Sequence, residues 1–191
     1  KISEQNFLRA SAEQVSSRIV QIQSVLKLLA LTENLKRQND PEQRHLFIAV
    51  KDLLGGAVTS VFMGFSDGKF IRAKTTPLPE DYDPRNRPWY LDALRLPSGI
   101  MDGITEPYLD AGTRHPTLTL YHKVLNPSGE LLGVLGVDVD IAIASRRLMQ
   151  NLPHSAGGEN ILVDDNAIVL LHPDDRMVGS DIAGTGEALD R

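Results

Sequence analysis

The sequence predicts an α+β fold in which a long amphipathic helix leads into antiparallel strand–turn–strand units with helices between them. Three observations carry this reading. Leu8, Ala12, Val15, Ile19, Ile22, Leu26 and Leu29 recur at alternating spacings of four and three, which keeps one apolar stripe on one helix face. Residues 58–65 and 69–73 are strand-like runs joined by the tight-turn sequence Ser66-Asp67-Gly68. Residues 117–124 and 131–139 form a second such pair around Asn126-Pro127-Ser128-Gly129.

The first helix fills residues 1–38. Glu13, Gln14, Arg18, Gln21 and Lys27 lie between members of the stripe and make the opposite face polar. Roughly 30 residues at ~1.5 Å each give a rod of about 45 Å, longer than one small domain needs. Two uses fit the stripe, packing of the helix on its own sheet or a signalling and dimer seam. Asn39-Asp40-Pro41-Glu42 marks a new start, with Asn39 or Asp40 as cap and Pro41 at the first helical position. This second helix reaches about Leu54 and stops at Gly55-Gly56. Gly133 and Gly136 inside the 131–139 strand imply a bend or the close approach of another group. A helix follows from about Ile141 to Leu152. After Gly157-Gly158, strands at 160–163 and 167–171 flank the turn Asp164-Asp165-Asn166. That last unit is too short to fold alone. The expected organisation is therefore a helix at 1–38, an α/β module at 39–152, and the start of a smaller, truncated module at 153–191.

The 191 residues are 41% hydrophobic and 24% charged, an ordinary globular balance. A net charge of −5 without any basic run argues against a nucleic-acid partner, which needs a cationic face to displace counterions. Cysteine is absent, so there is no disulfide framework and no thiolate ligand or nucleophile, a composition that suits an oxidising compartment. No stretch approaches the ~20 apolar residues of a membrane-spanning helix. The chain begins at Lys1 rather than Met and stops just after a loop-like stretch, which leads to the expectation of a segment cut from a longer protein.

The most informative segment is Asp81-Tyr82-Asp83-Pro84-Arg85-Asn86-Arg87-Pro88-Trp89-Tyr90, read as a loop. It holds the only tryptophan and two of the four tyrosines beside two arginines. A guanidinium grips a carboxylate through parallel hydrogen bonds, and aromatic rings supply walls with single polar donors, so the segment suits a compact anionic group. The plainer alternative makes Trp89 and Tyr90 core plugs and Arg87 a surface charge.

This segment resembles the double Cache sensor domains of bacterial chemoreceptors, sensor kinases and cyclic-dinucleotide enzymes. The resemblance extends to Thr105-Glu106-Pro107-Tyr108-Leu109-Asp110, to Leu131-Leu132-Gly133-Val134-Leu135-Gly136-Val137-Asp138-Val139, and to Ile161-Leu162-Val163-Asp164-Asp165-Asn166 with His172-Pro173-Asp174. It implies a long N-terminal helix and two stacked PAS-like modules between transmembrane helices, with ligand held in the membrane-distal module. It also implies a homodimeric receptor in the cell inner membrane, with this domain periplasmic or extracellular. The subgroup that binds free α-amino acids has a pattern matched by Tyr82, Arg87, Trp89, Tyr90, Tyr108 and Asp138. In that assignment Arg87, Trp89 and Tyr82 donate to the ligand carboxylate, while Asp138, Tyr90 and Tyr108 hold the ammonium. A zwitterion meets both buried charges, whereas a simple carboxylate would leave Asp138 unmatched.

Rival signals are weak. Asp138 and Asp140 share a strand face but have no His or Glu at ligand spacing, and Asp140 has a simpler task at the start of the following helix. Asp164-Asp165-Asn166 lacks the alternating acids, glycine and closing glutamate of a calcium loop. His45, His115, His122, His154 and His172 form no motif. No catalytic residue, metal site or cofactor is expected. The other readings are a dimerisation or periplasmic-protein interaction module, and a sensor of an amine or carboxylate in a histidine kinase or diguanylate cyclase.

Overall fold

The computed structural model describes residues 4–36, 40–150, 161–163, 167–172 and 174–182. The chain opens with helices α1 (Glu4–Ala30), α2 (Glu33–Lys36) and α3 (Asp40–Leu54), then strands β1 (Val58–Phe65) and β2 (Phe70–Arg72). A 3-10 turn, Pro84–Asn86, precedes α4 (Pro88–Arg95), followed by β3 (Asp102–Ile104), β4 (Tyr108–Leu109), β5 (Pro116–Leu125) and β6 (Leu131–Asp140). Helix α5 (Ile141–Gln150) leads to β7 (Leu162–Val163), β8 (Val169–Leu171) and a final 3-10 turn, Asp175–Met177.

The six strands β1 to β6 make one antiparallel sheet in the order β2-β1-β6-β5-β3, with β4 paired to β5. Because side chains alternate along a strand, the sheet has two different faces. On one, Val61, Met63 and Phe65 of β1 and Leu135 and Val137 of β6 pack against α1 and α3, which contribute Ile22, Leu26, Leu29, Phe47, Val50 and Leu54. On the other, Phe62, Tyr121 and Val134 pack with Trp89, Tyr90 and Ala93 of α4 and with Tyr108. The expected α+β class is what the chain adopts.

The α1 stripe divides along its length. Ile22, Leu26 and Leu29 are buried on the sheet, Ile19 is half-buried, and Ala12 and Val15 are exposed. Packing on the domain's own sheet therefore uses the C-terminal half of the stripe. Helix α3 starts where Pro41 predicts, with Asn39 outside the described residues, and ends at Gly55 and Gly56, whose φ of +54° and +69° only glycine adopts without strain. The Gly55 N–H closes the helix onto the Lys51 carbonyl at 2.8 Å. The hairpin turn forms as read, with Gly68 at φ +93° and the Lys69 N–H donating to Asp67 Oδ1 at 2.9 Å. Asp140 caps α5, its Oδ1 accepting the Ile143 N–H at 2.9 Å.

The loop expected over residues 81–90 is partly helical. Asp83 caps the 3-10 turn by accepting the Arg85 N–H at 2.9 Å, and Pro88 then opens α4 with its fixed φ and no amide to satisfy. At eight residues α4 is too short to show a period, and its apolar side chains are recruited by the sheet rather than by helical repetition. Strands β3 and β4 were likewise not expected, being three and two residues long. In the last unit β7 pairs antiparallel with β8, and β8 lies against α5. Gly157-Gly158, the turn 164–166 and Leu152 lie outside the described residues.

The two strand glycines of β6 answer the sequence expectation of a close approach. A Cβ on Gly136 would sit 2.3 Å from the Phe62 ring, and one on Gly133 would sit 2.4 Å from the Gly64 carbonyl oxygen. Gly64 of β1 similarly makes room for the Trp89 ring, which a Cβ would meet at 2.6 Å. Gly136→Ala is expected to cost about 1–3 kcal/mol by overpacking a buried ring. Leu26→Ala, which empties a fully buried site in the other core, is expected to cost about 2–5 kcal/mol. Urea unfolding midpoints of the two variants and the wild type check both values.

Candidate functional site

Strand register builds the site. Ser60 of β1, Asp138 of β6 and Thr119 of β5 are direct cross-strand neighbours, so their side chains form one polar row on the α4 face of the sheet. Thr119 Oγ1 donates to Asp138 Oδ1 at 2.7 Å and shares a hydrogen bond with the Tyr108 hydroxyl, also at 2.7 Å. The Tyr108 hydroxyl lies 3.4 Å from the same carboxylate oxygen. Ser60 Oγ is buried with no hydrogen-bond partner among the described residues. Above this row a narrow cavity, open at its mouth, is walled by Phe62, Phe70, Tyr82, Trp89, Arg87 and Tyr108.

Arg87 enters at the start of α4, where its Nη2 donates to the Leu109 carbonyl at 3.1 Å. Its guanidinium carbon stands 5.5 Å from the centre of the Tyr108 ring and 5.9 Å from that of Tyr82, within cation–π range. Tyr108 therefore has a cation over its face and a carboxylate at its hydroxyl. Arg87 and Asp138 share one cavity without forming an ion pair with each other. The cavity wall is completed by a cluster in which Trp89 lies 4.9 Å from Phe62 and 6.2 Å from Phe70 between ring centres.

The charged groups respond to this setting. Burial pushes the Asp138 carboxyl up to about 7, against hydrogen bonds from Thr119 and Tyr108 that favour its ionised form. Among the described residues no cation pairs with it. Burial also raises the Tyr82 and Tyr108 hydroxyls well above the usual phenol range, so both are protonated donors at neutral pH. Asp110 behaves oppositely: burial pushes it up, but hydrogen bonds from Thr113 and the Lys74 ammonium, 3.0 Å away, hold it below the ordinary carboxylate range.

Of the six residues singled out from the sequence, Tyr82, Arg87, Trp89, Tyr108 and Asp138 line this one cavity. Tyr90 does not. One position further along α4, it packs edge-on against Trp89 at 5.6 Å, in the apolar cluster behind the wall, and the charges nearest its hydroxyl are those of Arg85, Asp83 and Asp67. A helix turns each successive side chain by ~100°, and here that step carries Tyr90 away from the cavity that Trp89 faces. Sequence reading missed Ser60, Arg72, Lys74 and Asp110. Ser60 and Arg72 are legible only once strand register is known, and Lys74 and Asp110 meet across 36 residues of sequence. Among the described residues no cluster of His, Cys, Asp and Glu could hold a metal ion.

An antiparallel sheet flanked by helices, carrying on one face a pocket lined by two arginines, a Lys–Asp pair and a carboxylate with no ion-pair partner among the described residues, is the architecture of a PAS-like ligand-binding sensor. Residues 30–145 match the family described as methyl-accepting chemotaxis protein-like, first PDC sensor domain, and the chain belongs to that family. It is 30% identical over 154 residues to the methyl-accepting chemotaxis protein PctB of Pseudomonas aeruginosa, covering 81% of this chain and 24% of that receptor. It is also 30% identical over 152 residues to McpG of Pseudomonas putida, covering 78% and 23%. The chain thus spans about a quarter of the length of these receptors. Among solved structures, the ligand-binding domain of the P. aeruginosa amino acid chemoreceptor PctC in complex with GABA superposes with a TM-score of 0.67 at 29% identity, over 95% of this chain and 78% of that one. The PctB domain in complex with L-Gln gives 0.67 at 27% identity, over 96% and 72%.

Two expectations follow from this geometry. The folded state holds the Asp138 proton more tightly than the unfolded chain, whose value is near the ordinary 3.8. This carboxyl's contribution to stability is therefore lost as pH rises from about 4 to about 7 and is level above that. Asp138→Asn removes the effect, so the difference in urea midpoint between variant and wild type should widen in the variant's favour across that window in protein without ligand. A difference independent of pH would place Asp138 in a solvated environment. Tyr90→Phe, in contrast, should change affinity for any ligand of the cavity by less than about twofold, because its hydroxyl does not face it; calorimetry on the two proteins reads this directly.

Proposed function

We propose that residues 39–152 form the membrane-distal, extracytoplasmic sensing module of a transmembrane chemoreceptor, and that the cavity binds a free α-amino acid. The observation that carries this is the placement of Arg87 and Asp138 on opposite sides of Tyr108 in one enclosed space. A ligand with a carboxylate and an ammonium on the same carbon satisfies both, and each charge it brings offsets the desolvation of its partner. Arg87, with the Trp89 indole N–H and the Tyr82 hydroxyl, donates to the carboxylate. Asp138 accepts from the ammonium, with the Tyr108 hydroxyl and Ser60 Oγ beside it; Ser60, without a hydrogen-bond partner among the described residues, gains a donor when the ammonium is in place. Tyr90 backs the Trp89 wall. The complexes of PctC with GABA and of PctB with L-Arg and L-Gln support an amino-bearing carboxylate as the ligand class.

In this reading the receptor is anchored by transmembrane helices flanking the domain, lies in the inner membrane with the sensor outside the cytoplasm, and acts as a homodimer through the exposed half of the α1 stripe. Residues 153–191 begin a membrane-proximal module. The domain binds and reports; it performs no chemistry of its own, and the output is chemotaxis. No helix among the described residues is long and apolar enough to cross a membrane.

A thermal-shift screen across the protein amino acids tests the reading, because a ligand that binds only the folded state raises its melting temperature. Arg87→Ala is expected to weaken the best ligand by about 2–5 kcal/mol while the domain stays folded, as for truncating one side of a buried charge pair. Near-native affinity in that variant would remove the assignment. Affinity should also rise with pH through about 7 and level off above it, because the ammonium requires the ionised form of Asp138. An affinity unchanged between pH 5.5 and 8 would place the ammonium elsewhere.

A further inference from the structure

The cavity is lined by five charged side chains: Arg72, Lys74, Arg87, Asp110 and Asp138. Lys74 and Asp110 neutralise each other at 3.0 Å, with only 16% and 12% of their side chains exposed. Arg87 and Asp138 are the pair that an α-amino acid's own carboxylate and ammonium would meet. Arg72 is left over. It has no carboxylate partner among the described residues, and its Nη2 donates only to the Thr76 carbonyl oxygen. A guanidinium carries five N–H donors, so most of its hydrogen-bonding capacity remains open.

Arg72 is also aimed at the right place. In the sheet it stands directly opposite Phe62, whose ring lines the cavity, so the two side chains emerge on the same face. Its guanidinium carbon lies 6.0 Å from the Phe70 ring centre, between the inner cavity and a wider mouth whose walls add Arg44 and His45. Burial lowers the Arg72 pKa from its ordinary value, as it does for a cation that has lost water without gaining a full counter-charge. Asp40, the acidic residue at that mouth, is engaged by Lys69 and leaves the rim basic.

The complement of this cavity is therefore one ammonium and two carboxylates. Resting on the amino-acid reading above, we infer that the domain selects an α-amino acid with an acidic side chain, and that Arg72 is the residue that reads the side-chain carboxylate. Such a ligand carries a net charge of −1 and matches the single excess positive charge of the ionised cavity lining. An amide side chain of the same shape gives Arg72 an acceptor but no charge, and an aliphatic one leaves the guanidinium desolvated and unmatched.

The test is calorimetry at pH 8 with L-aspartate, L-glutamate, L-asparagine, L-glutamine and L-alanine on wild type, Arg72→Gln and Arg72→Lys, each first shown to be folded by its urea transition. In the wild type at least one acidic amino acid should bind about tenfold or more tighter than its own amide. Arg72→Gln, which keeps donors but no charge, should reduce that ratio to below about threefold while changing affinity for the amide little. Arg72→Lys should retain part of the preference. Equal binding of acid and amide by the wild type overturns the inference without needing any variant, as does a preference that survives Arg72→Gln. Tight binding of neutral amino acids alone sinks the side-chain assignment and leaves the amino-acid reading standing. No response of folded wild type to any amino acid removes both.

Discussion

A carboxylate buried at the middle of the sheet, with two hydroxyl donors and no cation, is the constraint around which this domain is arranged. Asp138 sits on β6, between β1 and β5, and its side chain is buried beneath the residues of the cavity wall. Burial favours its neutral form, while Thr119 and Tyr108 favour the ionised one. The balance leaves it near neutrality in its titration, responsive to any cation that arrives. The proposed ammonium of a ligand would tip that balance, coupling occupancy to the charge state of this buried acid.

The rest of the site keeps this carboxylate and the Arg87 guanidinium apart. Left free to move, the two would pair and fill the space themselves. Tyr108 prevents it by standing between them, and Arg87 is tied at the other end by the Leu109 carbonyl. Tyr108 is held in turn by Thr119, and the α4 wall is held by Trp89 in a slot that only glycine at position 64 leaves open. Of the proposed binding groups, Tyr108 and Asp138 are fixed on strands and Trp89 on α4, while Tyr82 and Arg87 lie in the segment that leads into that helix; groups held in place before a ligand arrives lower the ordering cost it must overcome.

The helical face of the sheet has a different task. Ile22, Leu26 and Leu29 of α1 fasten the helix to β5 and β6, strands whose opposite faces contribute to the cavity, while β1 packs against α3. Arg18 adds a polar tie from α1 to the Leu54 carbonyl at the end of α3. Beyond that point the helix carries Ala12 and Val15 exposed, free of the sheet and suited to the dimer seam proposed for the receptor. A single stripe can serve both purposes because its C-terminal half covers the sheet and leaves the residues of its N-terminal half to spare.

Local sequence determined the elements whose signals are local. The α1 stripe, the Gly55-Gly56 stop, the Ser66-Asp67-Gly68 turn, the paired long strands and the Asp140 cap are each written in consecutive residues, since periodicity and turn chemistry act over a few positions. The aromatic and charged segment at 82–89, together with Tyr108 and Asp138, marked the cavity because its pattern survives as spaced motifs. Tertiary structure decided the remainder. Helix α4 exists because Trp89 and Ala93 find a sheet to cover, and that same helical turn carries Tyr90 behind the wall instead of into the cavity. Ser60 and Arg72 look like ordinary polar residues until register sets one beside Asp138 and the other opposite Phe62. Lys74 and Asp110 become a pair only when chain segments 36 residues apart are brought together. Register and long-range pairing depend on how whole faces bury against one another, a property of the folded sheet that no window of sequence contains.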